Sequence, residues 1–272
     1  MNQDSVKVEL SLNDLKLRLK NIRKILINEH QSLFLDQLDD LILKVEIFGY
    51  HFATLDIRQD SRIHSYVFNK IIKKIKPFEF NNYNCSNYIE KCKFLSSLNG
   101  NFKPSFFSDE LVTSTLGSIR AMQKIQKSNG ESGCHRYIIS NNQTAINILE
   151  VFTMFKISGW KKNTFDIIPL FETISDLDIA VDIMDKIYSN DDYREHLSYR
   201  NNEQTIMLGF SDGTKDGGYL TANWKILTAK EKLTRISRKH KIKVKFFDGR
   251  GGPPARGGGN TYQFYSSLGS II

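Results

Sequence analysis

The chain has 272 residues, 40% hydrophobic and 25% charged, with 5 prolines and 38 Lys+Arg against 30 Asp+Glu, a formal net charge of +8. This average globular composition excludes intrinsic disorder and collagen-like repetition, and the length holds one large α/β domain or two small ones. No apolar run approaches the ~18–20 residues of a membrane span, residues 1–9 lack a signal-peptide core, and the cysteines (Cys85, Cys92, Cys134) show no pairing or metal spacing, so a reduced, cytoplasmic protein with no membrane partner is expected.

In chain order, Leu12, Leu15, Leu19, Ile22 and Leu26 form one helical stripe and Phe34, Leu38, Leu41 and Val45 another, with a break over Asn28–Ser32. Residues 1–48 therefore read as a helical N-terminal segment. From residue 49 on, short, nearly continuous apolar runs alternate with helical patterns. The runs are His51–Ile57, Arg136–Ser140, Asp166–Phe171, Thr205–Phe210 and Val244–Phe247. Such strands suit a parallel sheet with crossover helices. The helical patterns are Ser61–Ile75, Ser108–Ile125, Thr144–Phe155, Asp176–Tyr188 and Gly218–Lys239. The polar stretch between Lys76 and Pro104 reads as a surface excursion with one short helix near Tyr88–Leu98. The expected class is α/β.

Polar and charged residues gather where each run hands over to a loop: Asp56 to Gln59, Ser140 to Asn142, Glu172-Thr173, Ser211 to Asp216, and Asp248 to Gly252. Parallel strands bring their carboxyl ends to one face, so these clusters converge. Glu172 and Asp212 are two carboxylates on neighbouring strand ends. Oxygen-only donors favour a hard divalent ion, Mg²⁺ or Mn²⁺; the competing reading makes either acid a helix N-cap. Arg58, Lys215, Arg250 and Arg256 put positive charge on the same face, suited to a polyanion, unless Arg58 pairs with Asp56 or Asp60 and Lys215 with Asp216. Residues 249–259 hold six glycines and two prolines among eleven, which reads as a mobile anion-binding loop.

The ten Lys/Arg between Lys215 and Lys245 suggest a nucleic-acid patch as an alternative. Ala222, Ile226, Ala229, Leu233 and Ile236 recur at helical spacing, however, and make the basic residues mostly the wet face of an amphipathic helix. His51 and His64 read equally well as structural histidines. The residues by themselves lead to a metal-dependent enzyme acting on a small phosphorylated or multiply carboxylated substrate.

Taken in order, the clusters resemble the phosphoenolpyruvate carboxylase family. Leu55-Asp56-Ile57-Arg58-Gln59-Asp60-Ser61 with His64 is similar to its LDIRQ-S--H signature, Tyr137 to Ser140 to its YIIS strand, and Pro169 to Ile174 with Asp176-Leu177 to its PLFET--DL segment. Gly209 to Gly218 resembles its GYSDS-KDAG run, and Phe247 to Gly252 with Arg256 to Gly259 its FHGRGG---GRGG loop. The resemblance implies carboxylation of phosphoenolpyruvate by bicarbonate to oxaloacetate and phosphate on a (β/α)₈ TIM-type barrel, Mg²⁺ (or Mn²⁺) on Glu172 and Asp212, and anion-binding roles for Arg58, Lys215, Arg250 and Arg256. It further implies a homotetrameric complete enzyme. Asp248 departs from the family's histidine, and Pro253-Pro254-Ala255 from a Thr/Ser-containing triplet. Family enzymes are about three times longer, so the chain reads as an internal piece, an incomplete barrel of about five strand-helix units over residues 49–272, inactive by itself.

Overall fold

The computed structural model describes residues 10–249 and 260–266. They divide into two compact units: the chain up to Leu55 with Met122–His135, and Asp56–Ala121 with the residues from Arg136 on. In the smaller unit, α1 (Leu12–Glu29) and α2 (Leu35–Phe48) form a hairpin. Ser11 caps α1 by accepting from the Asp14 amide, Gln31, Ser32 and Phe34 turn the chain with positive φ, and Arg23 grips Asp39 through two hydrogen bonds of 2.6 and 3.0 Å.

The larger unit is α/β. Five parallel strands, β1 (Asp56–Asp60), β2 (Arg136–Ser140), β3 (Asp166–Phe171), β4 (Glu203–Gly209) and β5 (Lys243–Gly249), lie side by side in sequence order. That order is the one wound continuously in a single direction, as in a (β/α) barrel, whereas a doubly wound sheet reverses part-way. Among the described residues the sheet is not closed. Right-handed crossovers put the connecting helices on one side. Accordingly α7 (Ala145–Ile157) packs on α3 (Ser61–Ile75) and α8 (Ile174–Tyr188), and α8 packs on α11 (Tyr219–Lys239).

The sheet's two faces differ. Tyr137, Ile139, Ile167, Phe171, Ile206 and Leu208 are buried on the helix side, while Ile138, Ile168, Leu170 and Met207 form a second apolar cluster on the other. Helix α7 is buried nearly all round, as a helix between sheet and neighbours must be. Its Phe155 stacks on Phe165 at 4.0 Å and meets Tyr137 edge-on. A fully buried side chain of that size contributes roughly 1.5–3 kcal/mol of transfer free energy.

Several elements differ from the sequence expectation. The first strand begins at Asp56, because Phe52 takes φ 59° and pairing with β2 starts at Asp56 opposite Arg136, so Arg58 sits on the strand. The excursion carries two helices, α4 (Pro77–Cys85), with Pro77 in its first turn, and α5 (Tyr88–Ser97), with an Asn87/Glu90 capping box. It is anchored by buried Tyr83, Leu95 and Leu98. An unforeseen helix, α9 (Asp191–Tyr199), buries Tyr193, His196 and Leu197. No helix among the described residues is long and apolar enough to cross a membrane.

Candidate functional site

Because all five strands are parallel, Asp60, Ser140, Phe171, Gly209 and Gly249 end them at the same edge of the sheet. Asp60 closes β1 as the N-cap of α3, accepting from the Arg62 amide and guanidinium; that pairing holds its carboxyl below the usual range. Asn141, in the left-handed region at φ 53°, follows β2. Its carbonyl accepts from the Ser61 hydroxyl, and its amide donates to Glu172 Oε2 at 3.1 Å. Glu172 Oε1 in turn lies 2.7 Å from the Arg58 guanidinium. One chain of polar contacts thus links the ends of β1, β2 and β3.

Glu172 is the most sheltered charge of the set, with its side chain 18% exposed against 47% for Arg58. It is no helix cap, since Thr173 caps α8 in a reciprocal capping box with Asp176. Gly209 and Gly213 border it: a Cβ on Gly209 would stand 3.1 Å from Glu172 Cα, and one on Gly213 3.4 Å from its carbonyl oxygen. Glycine at these two positions lets the end of β4 close on Glu172.

Residues 211–217, expected as a loop, form the short helix α10 (Ser211–Gly217). Asp212 lies in its first turn rather than at its cap, and Lys215 reaches it at 3.0 Å. Both are half or more exposed, at 50% and 77%. Asp216 accepts from the Ile174 amide at 3.0 Å, tying α10 to the start of α8. Arg58 therefore pairs with Glu172, while Asp56 pairs with Arg136 and Asp60 with Arg62; Lys215 pairs with Asp212 and not with Asp216. Arg250 and Arg256, and the glycine-rich segment beyond Gly249, lie outside the described residues.

His64 is structural in its surroundings. Fully buried, it shares a 2.9 Å hydrogen bond with the Tyr137 hydroxyl, and desolvation lowers its pKa to about 4. His51 packs against Gly49 and Gly133 in the smaller unit. On the basic helix and its flanks, Lys215, Lys225, Lys230, Lys239 and Lys245 each pair with a carboxylate. These ion pairs spend much of the local charge within the fold and give no support to a nucleic-acid surface.

A family model described as phosphoenolpyruvate carboxylase matches residues 3–267. The chain belongs to the phosphoenolpyruvate carboxylase family. It is 37% identical over 267 residues to phosphoenolpyruvate carboxylase of Nitrosomonas europaea, covering 93% of this chain and 28% of that protein. The Gloeobacter violaceus enzyme is 33% identical over 236 residues, covering 83% and 25%. The chain thus spans less than a third of the curated phosphoenolpyruvate carboxylases it matches. Sequence reading missed the Asn141 amide as a holder of Glu172; the available signal was an Asn-Asn pair directly after a strand, a residue type that tolerates positive φ.

Proposed function

We propose that this chain supplies the carboxyl-end face on which phosphoenolpyruvate is carboxylated by bicarbonate to oxaloacetate and phosphate. The single observation that carries the reading is the Arg58–Glu172 contact, which gathers a cation and a sheltered carboxylate from strands 114 residues apart in sequence at the face where such barrels work. Among the described residues no group of three or more His, Cys, Asp and Glu is placed to hold a metal ion. Two carboxylates fit Mg²⁺ nonetheless, because that ion keeps waters and takes substrate phosphate oxygens rather than a complete protein cage. Glu172 and Asp212 would hold it, or Mn²⁺. When bound, the ion supplies charge neutralisation for phosphate and enolate oxygens.

The chain's own groups do the rest. Two anions react, so their mutual repulsion has to be offset before a bicarbonate oxygen reaches phosphorus and the enolate carbon reaches the carboxyl carbon. Arg58 commits one amino group to Glu172 and keeps other donors of its fork for a bound anion. Lys215, with its side chain 77% exposed, is a point charge that can leave Asp212 for a phosphate or carboxylate. Arg250 and Arg256 are assigned to the same anions by the family pattern. The 272 residues by themselves are proposed to be inactive, since among the described residues the five strands do not close into a barrel. The complete enzyme is proposed to be a cytoplasmic homotetramer.

The test is turnover coupled to malate dehydrogenase and followed as NADH loss, in the full-length enzyme carrying this sequence. Glu172→Ala or Asp212→Ala is expected to abolish Mg²⁺-dependent oxaloacetate formation. Wild-type rates in either variant refute the metal assignment, and oxaloacetate formation by the 272-residue chain refutes its inactivity.

A further inference from the structure

Lys230 stands on the buried stripe of α11, one turn after Ile226 and three residues before Leu233, and its side chain is 8% exposed. Its ammonium lies 2.8 Å from Oδ1 and 2.9 Å from Oδ2 of Asp248, and 5.7 Å from the centroid of the Phe246 ring. Alternation along β5 puts Phe246 and Asp248 on the face toward α11. Phe247, opposite Met207 in the register and 43% exposed, is on the other face. A lysine this deep is costly unless paired, and Asp248 is the carboxylate that pairs it. The strand end is also fixed from the side of β4, where a Cβ on Gly249 would stand 3.0 Å from Met207 Cε and 3.1 Å from the Leu208 carbonyl oxygen.

Asp248 occupies the position where the family pattern has histidine, just before the glycine-rich segment. A carboxylate there could handle protons at the reaction face, or it could be turned away from it. We propose that Lys230 is a positioning residue that acts through Asp248 to fix the carboxyl end of β5, and that Asp248 is a tether on the helix side rather than a proton-handling group. The inference rests on the proposed function, which makes this strand end part of a reaction face. It adds to that reading a residue, Lys230, that lies on the buried side of a helix whose basic residues were expected mostly on its wet face.

The experiment uses the 272-residue chain with Lys230→Met, Asp248→Leu, the double variant and Lys230→Arg. Two quantities are read: amide hydrogen exchange at residues 244–249, with 136–140 as the internal reference, and binding of inorganic phosphate in NMR titrations. Breaking the pair from either side is expected to speed exchange at 244–249 by about tenfold or more and to weaken phosphate binding by about tenfold, with the reference amides unchanged. Removing both charges, or keeping the cation as arginine, is expected to restore both quantities to within about threefold of wild type. Should Lys230→Met fail to fold, Asp248→Leu against the double variant carries the comparison.

Wild-type exchange in both single variants overturns the tether. Faster exchange with undiminished phosphate binding overturns the positioning role, and phosphate binding lost with Asp248→Leu and not regained in the double variant shows Asp248 acting directly. A wild-type chain that binds no phosphate counts against the reaction face itself, while the exchange data still decide whether the pair holds the strand.

Discussion

The two ends of the same parallel sheet use the same residue types for different purposes. At the amino ends, acids and bases pair off between neighbouring elements: Asp56 with Arg136, Asp166 with Arg200, and Glu203 with Lys245. These pairs tie strand to strand or strand to loop. At the carboxyl ends, Glu172 draws on Arg58 and a backbone amide at once, and Asp212 and Lys215 sit exposed on a seven-residue helix. The comparison teaches that charge at a strand end is uninformative until its surroundings are known. A pair that bridges neighbouring elements holds the sheet, whereas a pair with spare donors and open sides is available to a ligand.

The sharpest way to break this contrast is to remove one arginine from each end in the full-length enzyme. Arg58→Ala is expected to lower kcat/KM by about 10²- to 10³-fold, the usual loss for a preorganised electrostatic partner, with denaturation midpoints near wild type. Arg136→Ala, at the other end of the adjacent strand, is expected to leave kcat/KM unchanged. Equal kinetic losses in the two variants would erase the distinction between the ends.

The next effect concerns the histidines that burial keeps neutral. Desolvation lowers both His64 and His196 to about 4, from an ordinary 6.5. Between those values the unfolded chain binds more protons than the folded one, so stability falls as pH drops from 6.5 toward 4, by up to about 3 kcal/mol for each. Urea denaturation across that window should show the slope, and His64→Asn should remove its own share. A flat profile would mean that His64 is not held neutral.

Smaller effects separate the amino-end pairs from one another. Arg200→Ala is expected to cost about 1.5–3 kcal/mol in urea denaturation, since its side chain is 16% exposed and donates to Asp166 at 2.7 Å. Lys245→Ala, with its side chain 60% exposed, should cost less than about 1 kcal/mol and lose even that in high salt. The reverse order would show that burial does not grade these pairs.

Five strands and their parallel arrangement were legible in the sequence. Apolar runs of strand length followed by helical patterns admit few other topologies. The first strand's start was not legible, because His51 to Leu55 is as apolar as a strand and only pairing with Arg136 shows where the ladder begins. Helices α4 and α9 were missed because each is short, polar in composition and stabilised by a few buried anchors such as Tyr83 and Tyr193. Which acid meets which base was beyond sequence reading, since each charged group had several candidate partners within a few residues.

Sequence alone determined the family, the order of the elements and the residue types gathered at the strand ends, because each of these depends on local spacing and composition. Tertiary structure decided the partnerships: Glu172 with Arg58 and the Asn141 amide, and Lys230 with Asp248 beneath the sheet. Pairing depends on which side chains are desolvated together, and desolvation is a property of packing between elements that no stretch of chain carries by itself.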